Sequence, residues 1–235
     1  MAVLLKNCSL AAYAYENPDN TFPEFTSDEV CFEAQALGHP LLSHTSCVVN
    51  DVELNRKSRF YVLSGSNMSG KSTLLRAIGL NAVLASAGAP VRAGALRMSG
   101  LSVFASLSVV DSLLNGKSKF LAEVDRLRQT IESAMKNRSV LFLVDEIFSG
   151  TNSRDRRIAA DAVVRTLVDR GAIGALATHD LALCEIVGSE ELHGVNVHMG
   201  SRDERDPMDF DYRLKPGITR EANALAIARM AGVPV

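Results

Sequence analysis

The stretch from Phe60 to Ala87 constrains the chain more than any other. A short apolar run, Phe60-Tyr61-Val62-Leu63, is followed by the octet Gly65-Ser66-Asn67-Met68-Ser69-Gly70-Lys71-Ser72 and then by Thr73 and a Leu- and Ala-rich stretch without proline. The octet fits GxxxxGK(S/T), and it stands between an apparent buried strand and an apparent helix, the context in which that spacing has a mechanism. Glycines let backbone N–H groups curl around phosphate oxygens, and a helix N-terminus adds partial positive charge. Lys71 reaches β- and γ-phosphates as a point charge, and the Ser72 hydroxyl suits Mg²⁺. Gly65 to Ser72, with Thr73, are therefore read as a nucleotide phosphate loop.

The rest of the chain continues the strand–helix alternation. The helix after the loop is expected over 72–87, stopped by Gly88-Ala89-Pro90. Apolar residues at Phe120, Leu121, Val124, Leu127, Ile131 and Met135 recur at spacings of three and four, which predicts an amphipathic helix over 118–136 with Ser118 as its N-cap. Val140 to Val144 is a continuous apolar run closed by Asp145-Glu146 and reads as a central parallel strand buried on both faces. A helix over 156–170 ends at Gly171, and a second buried strand over 172–177 ends in Thr178-His179-Asp180. This order predicts an α/β fold with a mostly parallel sheet flanked by helices. Residues 1–40, with turn chemistry at Asn17-Pro18-Asp19-Asn20, read as a lead-in of loops and short strands, a small N-terminal β/loop appendage to a main domain over 41–235.

Strand ends are where such sheets present ligands. Asp145 is placed to hold Mg²⁺ directly or through water, and Glu146 to position and polarise an attacking water. His179 either contacts the γ-phosphate or that water, or is simply a polar residue ending a strand. Arg154 to Arg157 and Ser201 to Asp206 read as solvated loops or helix starts, and Arg126 and Arg128 as decoration of an exposed helix face.

Composition removes several function classes. The 25 basic and 27 acidic residues give a net charge of −2, which supplies no general attraction to nucleic acid. The four cysteines, Cys8, Cys31, Cys47 and Cys184, form no CxxC pair, so a zinc or redox site is not expected. No run is long and apolar enough to span a bilayer, and the start lacks the marks of a secretory peptide. A cytoplasmic protein with no membrane segment in this chain is the expectation.

These motifs, in this order, resemble the ATPase domain of the MutS DNA mismatch-repair family, within the wider ABC-type P-loop NTPases. The resemblance runs from Gly38-His39-Pro40-Leu41, through Asn50-Asp51, Asn67-Met68-Ser69-Gly70-Lys71-Ser72-Thr73-Leu74, Asp145-Glu146, Gly150-Thr151-Asn152-Ser153, Ala177-Thr178-His179, Asn196-Val197-His198 and Leu214-Lys215-Pro216-Gly217, to Ala231-Gly232-Val233-Pro234. It implies ATP and Mg²⁺ as cofactors, with Lys71, Glu146 and His179 as catalytic residues and Ser72 and Asp145 on the metal. It further implies a homodimer in which Gly116-Lys117-Ser118 with Phe120 is the signature segment, Ser118 touching the γ-phosphate held by the other subunit. Gly150-Thr151-Asn152 would be a loop crossing that interface, bringing Asn152 to the other subunit's nucleotide. Tyr212 would place a ring near the adenine, with Val48-Val49-Asn50 on the nucleotide's other side. Lys119 stands where Thr is usual in the signature, and the wording around Asp155 and Asp180 is similar to a divergent MutS-related branch.

Three functions follow from this reading. The first is a nucleotide-sandwich dimeric ATPase that switches attached domains. The second is a module for mismatched DNA in which ATP is only regulatory, with DNA contacted through domains outside this chain. The third is a degenerate domain that binds nucleotide without turning it over. Lys71, Ser72, Asp145 and Glu146 together argue against the third.

Overall fold

A computed structural model describes residues 2–107, 119–136, 139–188, 190–203 and 206–219. The chain begins with a helix, α1 (Ala2–Glu16), where loops and short strands are expected from the turn residues that follow it. The helix formers Ala and Leu dominate this stretch, and no Gly or Pro interrupts it before Asn17-Pro18. Asn17 closes α1, its backbone N–H and its Nδ2 both donating to the Tyr13 carbonyl.

Two short strands follow, β1 (Glu24–Thr26) and β2 (Phe32–Leu37), then β3 (Asn50–Leu54) and β4 (Phe60–Ser64). After α2 (Lys71–Ala87) come β5 (Ala95–Ser99) and β6 (Ser102–Ser106). Then come α3 (Lys119–Met135), β7 (Val140–Asp145), α4 (Ser153–Asp169) and β8 (Ile173–Thr178). The chain continues through 3₁₀ turns into β9 (Gly194–His198), β10 (Ser201–Asp203), β11 (Asp206–Phe210) and β12 (Lys215–Pro216).

The main sheet has the order β12-β9-β4-β8-β7-β6, with every pairing parallel except β12 with β9. A second sheet, β1-β5-β2-β3, is mixed and draws strands from both sides of position 40. The result is the mixed α/β architecture, with mostly parallel strands flanked by helices, that the alternating pattern predicts. β7 is buried along its length, yet it lies one strand from the β6 edge; the centre belongs to β4 and β8.

Side-chain alternation along the parallel strands divides the core in two. Tyr61, Leu63, Leu141, Leu143, Ala175 and Ala177 face α2 and the second sheet. Phe60, Val62, Phe142, Val144 and Leu176 face α3 and α4. Parallel pairing then has one functional consequence: Ser64 is in register with Thr178 and with His198, and Asp145 with Ala177. The carboxyl ends of β4, β7, β8 and β9 thus share one rim of the sheet, and the loops that follow them meet there.

Three details depart from the sequence expectation. The buried face of α3 carries Glu123, Leu127, Thr130, Ser133 and Ala134, while Leu121 and Met135 are exposed. α4 starts at Ser153, one turn earlier than expected, because Asn152 caps it: Oδ1 accepts from the Asp155 N–H at 2.9 Å. The strands after His193 carry no strong period and were not anticipated.

Candidate functional site

The loop between β4 and α2 is shaped by two glycines that no other residue can replace. Gly65 has φ +150, and a Cβ there would lie 2.2 Å from the Met199 carbonyl oxygen. Gly70 sits at φ +102 as the residue before α2, with the Tyr212 ring 3.1 Å from where its Cβ would be. No side chain caps the N-terminus of α2, so its first-turn N–H groups are left for another acceptor. The Ser66 and Ser69 hydroxyls nearby are buried without hydrogen-bond partners. A polar, donor-rich concavity of this kind has the chemistry to accept an anion.

Lys71 opens α2 and is 5% exposed. Its Nζ donates to the Gly65 carbonyl at 2.7 Å and to the Ser66 carbonyl at 2.8 Å. Burial pushes the ammonium below the ordinary lysine range, an effect that the neighbouring Glu146 and Asp145 carboxylates partly oppose. A cavity of about 360 Å³ brings together Asn67, Met68, Lys71, Ser72, Thr73, Asp145, Glu146 and Tyr212. Residues from the β4 loop, from α2 and from the end of β7 thus line one space. Ser72 and Asp145 offer hard oxygen donors of the type Mg²⁺ takes alongside phosphate oxygens. No group of three or more His, Cys, Asp or Glu side chains forms a metal cluster among the described residues.

Glu146 follows β7 in the left-handed region at φ +62, held there by its N–H donating to the Ala177 carbonyl of β8 at 3.0 Å. Its Oε1 is buried and accepts no aligned hydrogen bond, although His179 Nδ1 lies 2.8 Å away. The two side chains singled out from the sequence therefore meet, and an acceptor is left unmatched between them.

Tyr212 borders a second cavity, of about 300 Å³, together with His39, Cys47, Val48, Asn50, Thr73 and Ala77. Tyr212 is thus shared by the two cavities, and Val48 and Asn50 line the second with it. Asn50 fixes the segment: its Nδ2 donates to the Tyr212 carbonyl at 3.1 Å, and its Oδ1 accepts from the Leu214 N–H at 2.7 Å. Asn152 is at the surface and its side chain caps α4. Ser118, with Gly116 and Lys117, lies outside the described residues.

Two residues near this rim escaped the sequence reading. Glu123 is 4% exposed on α3 and accepts from the Phe148 N–H at 2.6 Å. Its signal in the sequence is an acid on the helix face that also carries Leu127, at a position the apolar spacing does not mark. Arg156 is not a solvated side chain; its guanidinium is 12% exposed and paired to Asp180.

A family model described as MutS domain V matches residues 61–235. The chain belongs to the MutS family. It is 30% identical over 240 residues to the DNA mismatch repair protein MutS of Lactobacillus acidophilus, covering 100% of this chain and 28% of that protein. The MutS of Lactobacillus helveticus is also 30% identical, over 241 residues, with the same coverage. That of Lactobacillus delbrueckii subsp. bulgaricus is 32% identical over 191 residues, or 80% of this chain and 22% of that protein. The chain thus spans under a third of the length of these MutS relatives, and the MutS domain V match contains the loop Gly65 to Ser72, the Asp145-Glu146 pair and His179. Among the described residues no helix is long and apolar enough to cross a membrane.

Proposed function

We propose that this chain is a Mg²⁺-dependent ATP-binding and hydrolysing domain of the ABC-type P-loop class, working as a nucleotide-sandwich dimer. The observation that carries the reading is the convergence of Lys71, Ser72, Asp145 and Glu146 on one cavity beneath an uncapped helix N-terminus.

Lys71 and the first-turn N–H groups of α2 bind and orient the β- and γ-phosphates, exchanging the Gly65 and Ser66 carbonyls for phosphate oxygens. Ser72, and Asp145 directly or through water, would hold Mg²⁺, which when bound would neutralise developing phosphate charge. Glu146 takes the water through its unmatched Oε1 and aligns it with the γ-phosphate. His179, 2.8 Å from that oxygen, fixes the carboxylate and contacts the γ-phosphate or the water. The base enters the second cavity against Tyr212, a space that Val48 and Asn50 also line.

In the dimer, Ser118 and Asn152 of one subunit complete the nucleotide site of the other. Apolar surface suited to such pairing is exposed at Met68 on the loop, Ile158 on α4 and Leu181 just after His179. Nucleotide binding and release would then switch domains attached to this one, which requires two states that bind nucleotide unequally. The relatives' name brings DNA into the account; with a net charge of −2, DNA is contacted through other domains of the longer protein rather than through this one.

Glu146→Gln tests the reading. The variant is expected to bind ATP as well as wild type, to hydrolyse it poorly and to accumulate as dimer in size-exclusion chromatography with ATP. Turnover equal to wild type removes Glu146 from the role.

A further inference from the structure

The loop that carries Glu146 holds two residues other than glycine in the left-handed region, Glu146 at φ +62 and Phe148 at φ +51. Such backbone persists only where its surroundings over-determine it. Phe148 is held at three points. Its N–H donates to Glu123 Oε1 of α3, its carbonyl accepts from Thr151 N–H, Thr151 Oγ1 and Arg156 Nε, and its ring is buried 5.9 Å from that of Phe120.

Arg156 does more than bond Phe148. Its Nη2 donates to the carbonyls of Ser149 at 3.4 Å and Thr151 at 2.9 Å. Its Nη1 donates to Asp180 Oδ2 at 3.2 Å, with the two side chains 12% and 14% exposed. Asp180 is itself oriented: its N–H donates to Thr178 Oγ1, and its Oδ1 accepts from the Ala182 N–H. One guanidinium therefore binds three carbonyls of the loop after Glu146 and the carboxylate of the residue after His179. A planar fork with five donors suits this; a lysine ammonium does not reproduce it.

We propose that Arg156 is a positioning residue that locks the loop bearing Glu146 to the turn bearing His179, so that the two side chains meet at the nucleotide. Asp180 is the anchor on the His179 side, and Glu123 holds the same loop from α3. The inference rests on the ATPase reading above and adds the element that holds the Glu146–His179 pair in register. It also gives the pair a route to the dimer face, because Arg156 grips Thr151, next to the surface residue Asn152.

The test uses the full chain with Arg156→Met, Arg156→Lys, Asp180→Asn and the Arg156→Met/Asp180→Asn double variant. The readouts are turnover at saturating Mg-ATP, affinity for a fluorescent ATP analogue, and amide hydrogen exchange. Arg156→Met is expected to lower turnover about tenfold or more while affinity stays within about twofold, because misplacement of a reacting group acts on the rate. Faster exchange is expected at 147–151 and 180–182, with the phosphate loop unchanged. Arg156→Lys recovers part of the loss through the Asp180 pair alone, and supplies the comparison if Arg156→Met does not fold. The double variant is no worse than Arg156→Met, since both changes open one contact network. Unchanged turnover, a loss of affinity in step with the rate, or additive effects in the double variant overturn the proposal. If wild type shows no turnover that Lys71→Ala abolishes, the ATPase reading falls and this role with it. If wild type hydrolyses ATP and Arg156→Met matches it, only this role falls.

Discussion

His179 Nδ1, at the end of β8, lies 2.8 Å from Glu146 Oε1, at the end of β7. Adjacent parallel strands deliver the two side chains to one rim, and the Glu146 N–H bond to the Ala177 carbonyl sets their separation. Removing the ring leaves Oε1 without its neighbour and the water without a second contact. His179→Ala is accordingly expected to lower turnover about a hundredfold, within the range for loss of a positioned acid–base group, while ATP affinity changes little. Single-turnover hydrolysis beside equilibrium binding checks this; a parallel loss of both makes His179 a binding residue instead.

Lys71 carries a pH signature. Its ammonium is buried and its proton is held less tightly than in an ordinary lysine. Because the folded-state value is lowered, the unfolded chain binds more protons between the two values, so the nucleotide-free protein gains stability as pH rises through that window. Phosphate binding favours the charged form and reverses the shift. ATP binding is therefore expected to take up protons on the alkaline side of neutrality, seen by calorimetry in buffers of different ionisation enthalpy. Binding with no proton uptake below the ordinary lysine range contradicts this.

Asn50 is expected to matter for base recognition through Tyr212. Asn50→Ala deletes two hydrogen bonds and releases the segment 212–214. The expected stability loss is about 1–2 kcal/mol in a denaturant titration. ATP affinity should fall more than pyrophosphate affinity, because the proposed phosphate contacts come from Lys71 and the first turn of α2, whereas Tyr212 is proposed to meet the base. Equal losses for both ligands argue that Tyr212 does not contact the base.

Gly174 is a fold-critical position with no part in the site. A Cβ there would lie 2.1 Å from the Phe142 carbonyl oxygen and 2.5 Å from its ring, between β8 and β7. Neither strand can yield, since both are buried and paired on two sides. Gly174→Ala is expected to cost about 3 kcal/mol or more, read as a lowered thermal midpoint. A midpoint unchanged from wild type would show that the sheet relaxes more easily than its packing implies.

The loop from Gly65 to Gly70 and its flanking strand and helix were legible because apolar runs and glycines act locally. β7, β8 and the helix α4 between them were visible for the same reason: continuous burial and helical spacing need no knowledge of partners. What stayed hidden depends on distant contacts. α1 was masked by the turn residues just beyond it. Arg156 reads as part of a solvated stretch and Glu123 carries no mark of its own, because their value lies in Phe148, Thr151 and Asp180, which the fold brings to them. The pairing of Asn50 with a segment more than 160 positions away had no local signal at all. Ser118, the residue expected to act across the dimer, lies outside the described residues.

The most direct measurement is steady-state hydrolysis of Mg-ATP across a wide range of protein concentration, for wild type and Lys71→Ala. If each site is completed by a second subunit, specific activity rises with protein concentration in wild type and is abolished in Lys71→Ala. Specific activity that does not change with protein concentration, activity that persists in Lys71→Ala, or no hydrolysis by wild type at any concentration would contradict it.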